Sequence, residues 1–139
     1  MPPIFRNKCV IGKKMIYYWI IKGKEEAVLP DETKNVIEQF VTDVKSCLGS
    51  SINSMIVFGS YARGDYNENS DIDIMILTPL SDEKIEEVED ALYDEAFEFM
   101  MKYEIQISVI VKNEEHFKYW LGALPFYDNV EREGVEIVG

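Results

Sequence analysis

The feature that most constrains this chain is a polar segment, residues 59–73, set between two short apolar runs. The run before it, residues 55–58, reads Met-Ile-Val-Phe. In the stretch after it, Ile72, Ile74 and Ile76 alternate with Asp71, Asp73 and Met75. Short runs of this kind, rich in β-branched residues and bounded by turn-forming residues, are typical of strands. The sequence therefore predicts strands over residues 52–58 and 70–77, joined by a polar connection.

Two carboxylates stand two positions apart at the start of the second strand. Side chains at alternate positions of a strand share a face, so Asp71 and Asp73 point the same way while Ile72 and Ile74 point into the core. Paired carboxylates on a rigid strand suit a hard divalent cation. The alternative is a pair of ordinary polar residues on a half-exposed strand, and that interpretation is favoured for an Asp-x-Asp pair standing alone.

A small turn, Gly59-Ser60, comes one loop before the carboxylates. Glycine leaves room for a phosphate group to approach the backbone, and the Ser60 hydroxyl and amide suit β- or γ-phosphate oxygens. If Ser60 opens a short helix through Arg63, the positive end of that helix adds a favourable field. The turn and the carboxylates together indicate a metal-dependent nucleotide site. A purely structural strand-to-helix turn is the alternative.

Two more residues of the segment are candidate nucleotide-binding residues beside Gly59 and Ser60. Arg63 contacts phosphate, or it pairs with a nearby carboxylate and fixes the loop, and the structural role is slightly favoured. Ser70 orients Asp71 or closes the turn through a local hydrogen bond.

The segment resembles the signature of the nucleotidyltransferase superfamily typified by DNA polymerase beta and kanamycin nucleotidyltransferase. The residues that carry the resemblance are Gly59-Ser60-Tyr61-Ala62-Arg63-Gly64 followed by Ser70-Asp71-Ile72-Asp73-Ile74. The form is most similar to the minimal nucleotidyltransferase (MNT) branch, over roughly residues 31–111. This resemblance implies two Mg²⁺ ions held by Asp71 and Asp73, with AMP transferred from ATP to a hydroxyl.

The resemblance also implies a third acidic residue, on a neighbouring strand, that shares a metal and accepts the proton of the attacking hydroxyl. The sequence predicts a third strand over residues 104–111, with Glu104, Gln106 and Ser108 on its polar face. Glu104 is the carboxylate on that face and is the candidate catalytic and metal-binding residue. If the family position aligns with Gln106 instead, an amide ligates metal weakly and cannot act as a base. Catalysis, though not nucleotide binding, would then be in doubt.

Amphipathic segments complete the predicted architecture. Helices are predicted from Asp31 to Leu48, from an N-cap at Ser81 to about Lys102, from Asn113 to about Leu121, and after Pro125 to near Gly134. Their order among the strands predicts an α/β (α+β) fold, a nucleotidyltransferase-type mixed β-sheet with helices packed mainly on one face. The carboxylates then lie on the uncovered face.

Length and charge bound the organisation of the chain. Its 139 residues hold one compact domain, residues 29–139, after a basic extension, residues 1–28. That extension is expected to be a poorly ordered or strand-like appendage without chemistry, and the alternatives are an extra strand, an interaction arm or an addition upstream of the natural start. The formal charge of −12 argues against binding to nucleic acid or to an anionic membrane, since both need clustered Lys and Arg. No signal peptide is visible and the apolar run 16–21 is too short to span a bilayer, so a cytoplasmic location is expected.

The resemblance implies a protein partner as well. MNT proteins commonly act as the antitoxin of a two-gene pair with a HEPN-family toxin, and the implied reaction is adenylylation of a tyrosine of that toxin. The alternative is a catalytically weak or inactive module that neutralises a partner by binding, which the acidic surface also suits. A third possibility is an orphan domain with a small-molecule acceptor. Antibiotic nucleotidyltransferases carry a further substrate domain and tRNA-end polymerases need a basic surface, so both are disfavoured.

Overall fold

The computed structural model describes residues 31–138. The predicted extension over residues 1–28 lies outside the described residues. The elements in chain order are α1 Asp31–Leu48, β1 Ser54–Phe58, α2 Ser60–Arg63, β2 Ile72–Thr78, α3 Asp82–Tyr103, β3 Ile107–Asn113, α4 Glu114–Trp120, α5 Pro125–Glu133 and β4 Val135–Val138. No helix in this part of the chain has the length and apolar character needed to cross a bilayer.

The four strands form one mixed sheet in the order β3-β2-β1-β4. β1 pairs antiparallel with β2 and with β4, whereas β2 and β3 run parallel. A parallel pair needs a crossover, and α3 supplies it between β2 and β3. The register places Asp73 opposite Phe58 on β1 and opposite Ser108 on β3.

One face of the sheet carries the main core beneath α1 and α3. The isoleucines Ile72, Ile74 and Ile76 are fully buried there, as their spacing at alternate positions of the strand predicts. Phe40 of α1 meets Phe99 of α3 edge to face, with ring centroids 5.4 Å apart. Burial of these side chains fixes which face of β2 is left for its carboxylates.

The other face of the sheet is divided along its length. Helices α4 and α5 cover the half that carries Met75 and Leu77, through Phe117, Tyr127 and Val130. Asp71 and Asp73 project from the same face at the other end of β2, where both remain partly exposed. The predicted fold, a mixed sheet with helices mainly on one face, is confirmed, with these two short helices covering part of the second face.

Local capping signals set the helix starts as predicted. The Ser81 hydroxyl accepts the Lys84 amide at 3.4 Å at the start of α3, and the Asn113 side-chain oxygen accepts the His116 amide at 3.0 Å at the start of α4. Each cap satisfies an amide that the helix itself leaves without an intrahelical partner.

The structure corrects two sequence predictions about strands. β3 begins at Ile107 and not at Glu104, which instead forms the C-cap of α3 with a left-handed φ of 57°. β4, Val135–Val138, was not predicted, although Val135 and Ile137 are fully buried in alternation with Glu136. The chain segment after Gly134 is therefore a sheet edge strand and not a tail.

Candidate active site

Gly59 brings the backbone of the turn directly against a carboxylate. Its φ of 74° and ψ of −153° lie in a region that essentially only glycine adopts. A Cβ at this position would meet Oδ2 of Asp73 and lie 3.2 Å from its Cγ. The glycine therefore permits both the sharp exit from β1 and the close approach of Asp73 to the turn.

The turn continues at once into the four-residue helix α2, Ser60–Arg63, as the sequence predicts. The first amide with a partner inside this helix is that of Arg63, which donates to the Gly59 carbonyl at 3.0 Å. The amides of residues 60–62 precede it and have no intrahelical acceptor. Three backbone donors thus follow the glycine, on the segment predicted to bind phosphate.

Asp71 and Asp73 lie side by side, as predicted, on the face of the sheet that α1 and α3 do not cover. The Ser108 hydroxyl of β3 donates to Oδ2 of Asp71 at 3.2 Å and so fixes that carboxylate from the neighbouring strand. Burial raises the pKa of Asp73, the charge of Asp71 raises it further, and the Arg63 guanidinium lowers it. The pair therefore concentrates negative charge that a cation would relieve.

Arg63 holds the motif to the rest of the domain. Its guanidinium pairs with Asp65 and with Glu133 of α5, each at 3.3 Å. Both contacts are partly exposed, so each contributes little to stability by itself. The structure thus shows the loop-fixing contacts of the slightly favoured structural role, while the field of Arg63 still reaches Asp73.

Ser70 closes the loop between the turn and the carboxylates. Its hydroxyl accepts the Asn67 amide at 2.9 Å, and its own amide donates to the Asn67 carbonyl at 3.0 Å. The Asn67 side chain in turn accepts the Asn69 amide at 2.8 Å. Of the two predicted roles for Ser70, the structure shows the one that closes the turn next to Asp71.

A stacked pair of tyrosines supports the same segment. The rings of Tyr61 and Tyr66 lie 4.4 Å apart with planes only 9° from parallel. Burial raises the pKa of Tyr61, followed by the charges of Tyr66 and Asp71, so the hydroxyl lies within the field of the site. The sequence gives no signal for this pair, because one tyrosine lies in a four-residue helix and the other in the loop after it, so their spacing follows no periodic pattern.

Glu104 is not brought to the site as predicted. It is exposed at the end of α3, ahead of β3, and its backbone amide donates to the Met100 carbonyl at 2.9 Å. The predicted strand face does not apply to Glu104, because the chain becomes a strand only at Ile107. Ser108, two positions beyond Gln106 on the polar face, is the residue that contacts Asp71.

The donor set suits a hard cation only in part. Residues 31–138 contain no group of three His, Cys, Asp or Glu side chains arranged to hold a metal ion. Asp71 and Asp73 nevertheless suit Mg²⁺ as part of its coordination shell. Mg²⁺ commonly binds one or two protein carboxylates and completes its coordination with substrate phosphates and water.

A strand that ends in a glycine turn, a short helix and two carboxylates at the start of the next strand are the arrangement expected of a nucleotidyl-transfer site. The chain belongs to the nucleotidyltransferase domain family, which it matches over residues 37–135. Two proteins of Methanocaldococcus jannaschii, each named "Putative protein adenylyltransferase", are similar to it. One is 38% identical over 73% of this chain and 93% of its own length. The other is 36% identical over 76% of this chain and 99% of its own length. The expected enzyme class, nucleotidyltransferase, is confirmed.

Proposed function

We propose that this protein is a Mg²⁺-dependent adenylyltransferase that moves AMP from ATP onto a hydroxyl of another protein. The observation that carries the proposal is the contact between Asp73 and the Gly59 turn, because it places a carboxylate of the pair against the segment suited to a triphosphate. The similarity to proteins named as protein adenylyltransferases supports a protein acceptor over a small molecule.

The reaction needs few chemical steps from the protein itself. The acceptor oxygen forms a bond to the α-phosphorus, the bond from that phosphorus to the bridging oxygen breaks, and pyrophosphate leaves. The hydroxyl proton leaves with pyrophosphate or passes to solvent. Backbone amides of residues 60–62 and the Ser60 hydroxyl orient the triphosphate, and Ser108 fixes the Asp71 carboxylate.

Asp71 and Asp73 are the residues that would hold Mg²⁺ in this proposal. When bound, the metal neutralises charge on the phosphates and on the leaving oxygen. Arg63 remains a nucleotide-binding candidate through its field, and Ser70 through the loop that it closes. Glu104 is assigned no catalytic or metal-binding role, since it lies at the end of α3.

The acceptor that the MNT resemblance favours is a tyrosine of a HEPN-family toxin, with this chain as the cytoplasmic antitoxin. The strongly acidic composition suits a basic partner. A second candidate function is neutralisation by binding alone. It is favoured by the finding that residues 31–138 contain no cluster of three metal-ligating side chains, so that no third carboxylate from this range joins Asp71 and Asp73.

Covalent labelling separates the two functions. The full chain is incubated with Mg²⁺, ATP labelled at the α-phosphate and the purified product of the adjacent gene, and the proteins are then separated under denaturing conditions. We expect labelled partner, with transfer reduced on the order of 10²–10³-fold in Asp71→Asn and Asp73→Asn, as for loss of one electrostatic catalytic group.

Asp82→Asn is the matched control, because it makes the same chemical change at an exposed position on α3. Its transfer rate should equal that of the unchanged protein. A stoichiometric complex that forms without any transfer of label would establish the binding module instead. Equal transfer by all three variants would remove Asp71 and Asp73 from the mechanism.

A further inference from the structure

The outer edge of β3 presents backbone groups that no strand of the described range pairs with. β3 is the end strand of the sheet, and within residues 31–138 no strand pairs with its outer side. The Ile72 amide donates to the Gln106 carbonyl at 2.9 Å, so alternate residues of β3 direct their backbone groups to β2. Those of Ile107, Val109 and Val111 therefore point outward. Such a row is a template for another extended chain.

An apolar groove runs beside this edge. It is a cavity of about 380 Å³ between β3 and α3, lined by residues 106–109 and by Tyr93, Ala96, Phe97 and Met100. Tyr93 is 46% exposed and Phe97 57% exposed, which is unusual for large apolar side chains next to one another on a helix. A strand added to the edge would direct alternate side chains toward this wall.

Ser108 connects the groove with the proposed active site on the other face of the sheet. Ser108 lines the groove and its hydroxyl donates to Asp71. A strand added to β3 would lie two strand spacings, about 10 Å, from β2 and its carboxylates. A tyrosine side chain on that strand covers most of this distance toward the site, whereas a serine side chain does not.

The negative charge of α3 favours a basic segment of another protein over a second copy of this chain as the occupant of the groove. α3 carries nine acidic and two basic residues, and the charges of Glu89 and Asp90 act on the Tyr93 hydroxyl in the groove wall. A second copy of this chain, docked edge to edge, would bring two such helices together, and like charges at close range disfavour it. A segment that carries Lys or Arg is attracted instead.

We propose that the β3 edge and its groove bind the acceptor segment of the protein substrate as an added strand. The segment is extended and basic, has apolar residues at alternate positions, and presents a tyrosine to the site. This proposal rests on the proposed function, since it assigns the docking surface for the protein that receives AMP.

Kinetics with the partner protein test the surface. Phe97→Glu should raise KM for the partner about tenfold or more, the loss typical of an interface anchor, while KM for ATP stays unchanged. Met101→Glu is the matched control, because Met101 is apolar and 67% exposed on the same helix but does not line the groove. Equal effects of the two variants on KM for the partner would overturn the proposal.

Backbone pairing is tested with a nine-residue peptide centred on the tyrosine that becomes labelled. N-methylation removes single backbone donors, and an added strand uses those of alternate residues only. Methylation at one alternate set of positions should abolish peptide labelling, whereas methylation at the other set should leave it intact. Equal tolerance or equal loss at both sets would exclude an added strand.

Amide hydrogen exchange separates failure of this surface from failure of the proposed function, because it needs no transfer. In the complex with the partner protein, without ATP, exchange at Ile107, Val109 and Val111 should slow. Unchanged exchange in a stoichiometric complex would overturn the docking surface even if transfer occurs. A second result would also overturn the docking surface. It is that these amides are already protected in the free full-length chain and lose that protection in Trp19→Asp, because the basic amino-terminal segment of the chain would then occupy the edge.

Discussion

At the scale of single residues, Gly59 links the fold to the chemistry. Its backbone angles exclude other residues, and the space that a side chain would fill is taken by the Asp73 carboxylate. Two separate requirements thus coincide at one position. A substitution there disturbs both the turn and the metal-binding candidate.

Gly59→Ala should therefore lower stability by about 1–3 kcal/mol and weaken Mg²⁺-dependent ATP binding at least about tenfold. Gly122→Ala is the control, because Gly122 also has a positive φ, 89°, but a Cβ there meets nothing within 4 Å. Thermal melting and ATP titration of both variants check the prediction. If Gly59→Ala binds ATP as well as Gly122→Ala does, the position of Asp73 does not depend on the absence of a side chain at residue 59.

At the scale of secondary-structure elements, the end of α3 explains why Glu104 was assigned wrongly. The alternation of residues 104–111 correctly gives the face of the side chains within β3. It does not fix the residue at which α3 ends. Here the end is set by a left-handed C-cap. Glu104 thus shares the parity of Ser108 without belonging to its strand. Sequence patterns give the period of an element more securely than its boundary.

Glu104→Gly should stabilise the protein, because glycine adopts the left-handed C-cap without the penalty that a Cβ incurs. We expect a gain of about 0.5–1 kcal/mol, or a rise in Tm of roughly 2–4 °C, after allowing for the greater freedom of glycine in the unfolded chain. Transfer activity should be unchanged. Loss of activity with retained stability would return Glu104 to the site as the third carboxylate.

At the interface between α1 and α3, the carboxyl group of Glu95 has a pKa near neutrality. A hydrogen bond to Asp43, with burial and the charges of Asp43 and Glu98, raises the pKa of Glu95 to about 7. Because this pKa is raised on folding, the pair stabilises fully below the ordinary glutamate pKa. That contribution is lost as pH rises toward 7.

Glu95→Gln keeps a hydrogen-bond donor at every pH. Its Tm should exceed that of the unchanged protein at pH 8 by a few degrees, and the difference should shrink by pH 5. Glu83→Gln, at an exposed position in the first turn of the same helix, controls for the loss of one negative charge. A Tm difference for Glu95→Gln that does not vary with pH would argue against the raised pKa of Glu95.

At the scale of the whole molecule, the sequence predicted what depends on local pattern. The helix caps at Ser81 and Asn113, the buried face of β2 and the shared face of Asp71 and Asp73 all follow from spacing. β4 was missed because its four residues become a strand only by pairing with β1, and Val135-Glu136-Ile137 is too short to stand out alone. The stacking of Tyr61 on Tyr66 also depends on tertiary contacts.

The domain buries its main core on one face of the sheet and leaves two like charges together at the proposed site on the other. A ligand that binds only the folded domain should therefore raise its free energy of unfolding. Saturation with Mg²⁺ and ATP at about 100 times Kd adds about 2.7 kcal/mol, which corresponds to a rise in Tm of roughly 5–15 °C. ATP with EDTA should give little rise. Asp73→Asn should show no Mg²⁺-dependent rise.

In metal-free buffer at neutral pH, Asp73→Asn should melt at or above the temperature of the unchanged protein. The raised pKa of Asp73 means that its ionised form is disfavoured in the folded state, by burial and by Asp71, so its cost to stability grows as pH rises through that pKa. Below the ordinary aspartate pKa this difference in Tm should disappear. A large fall in Tm for Asp73→Asn without metal would contradict this prediction. It would show that the folded domain needs the charge of Asp73 for stability and not for binding a ligand.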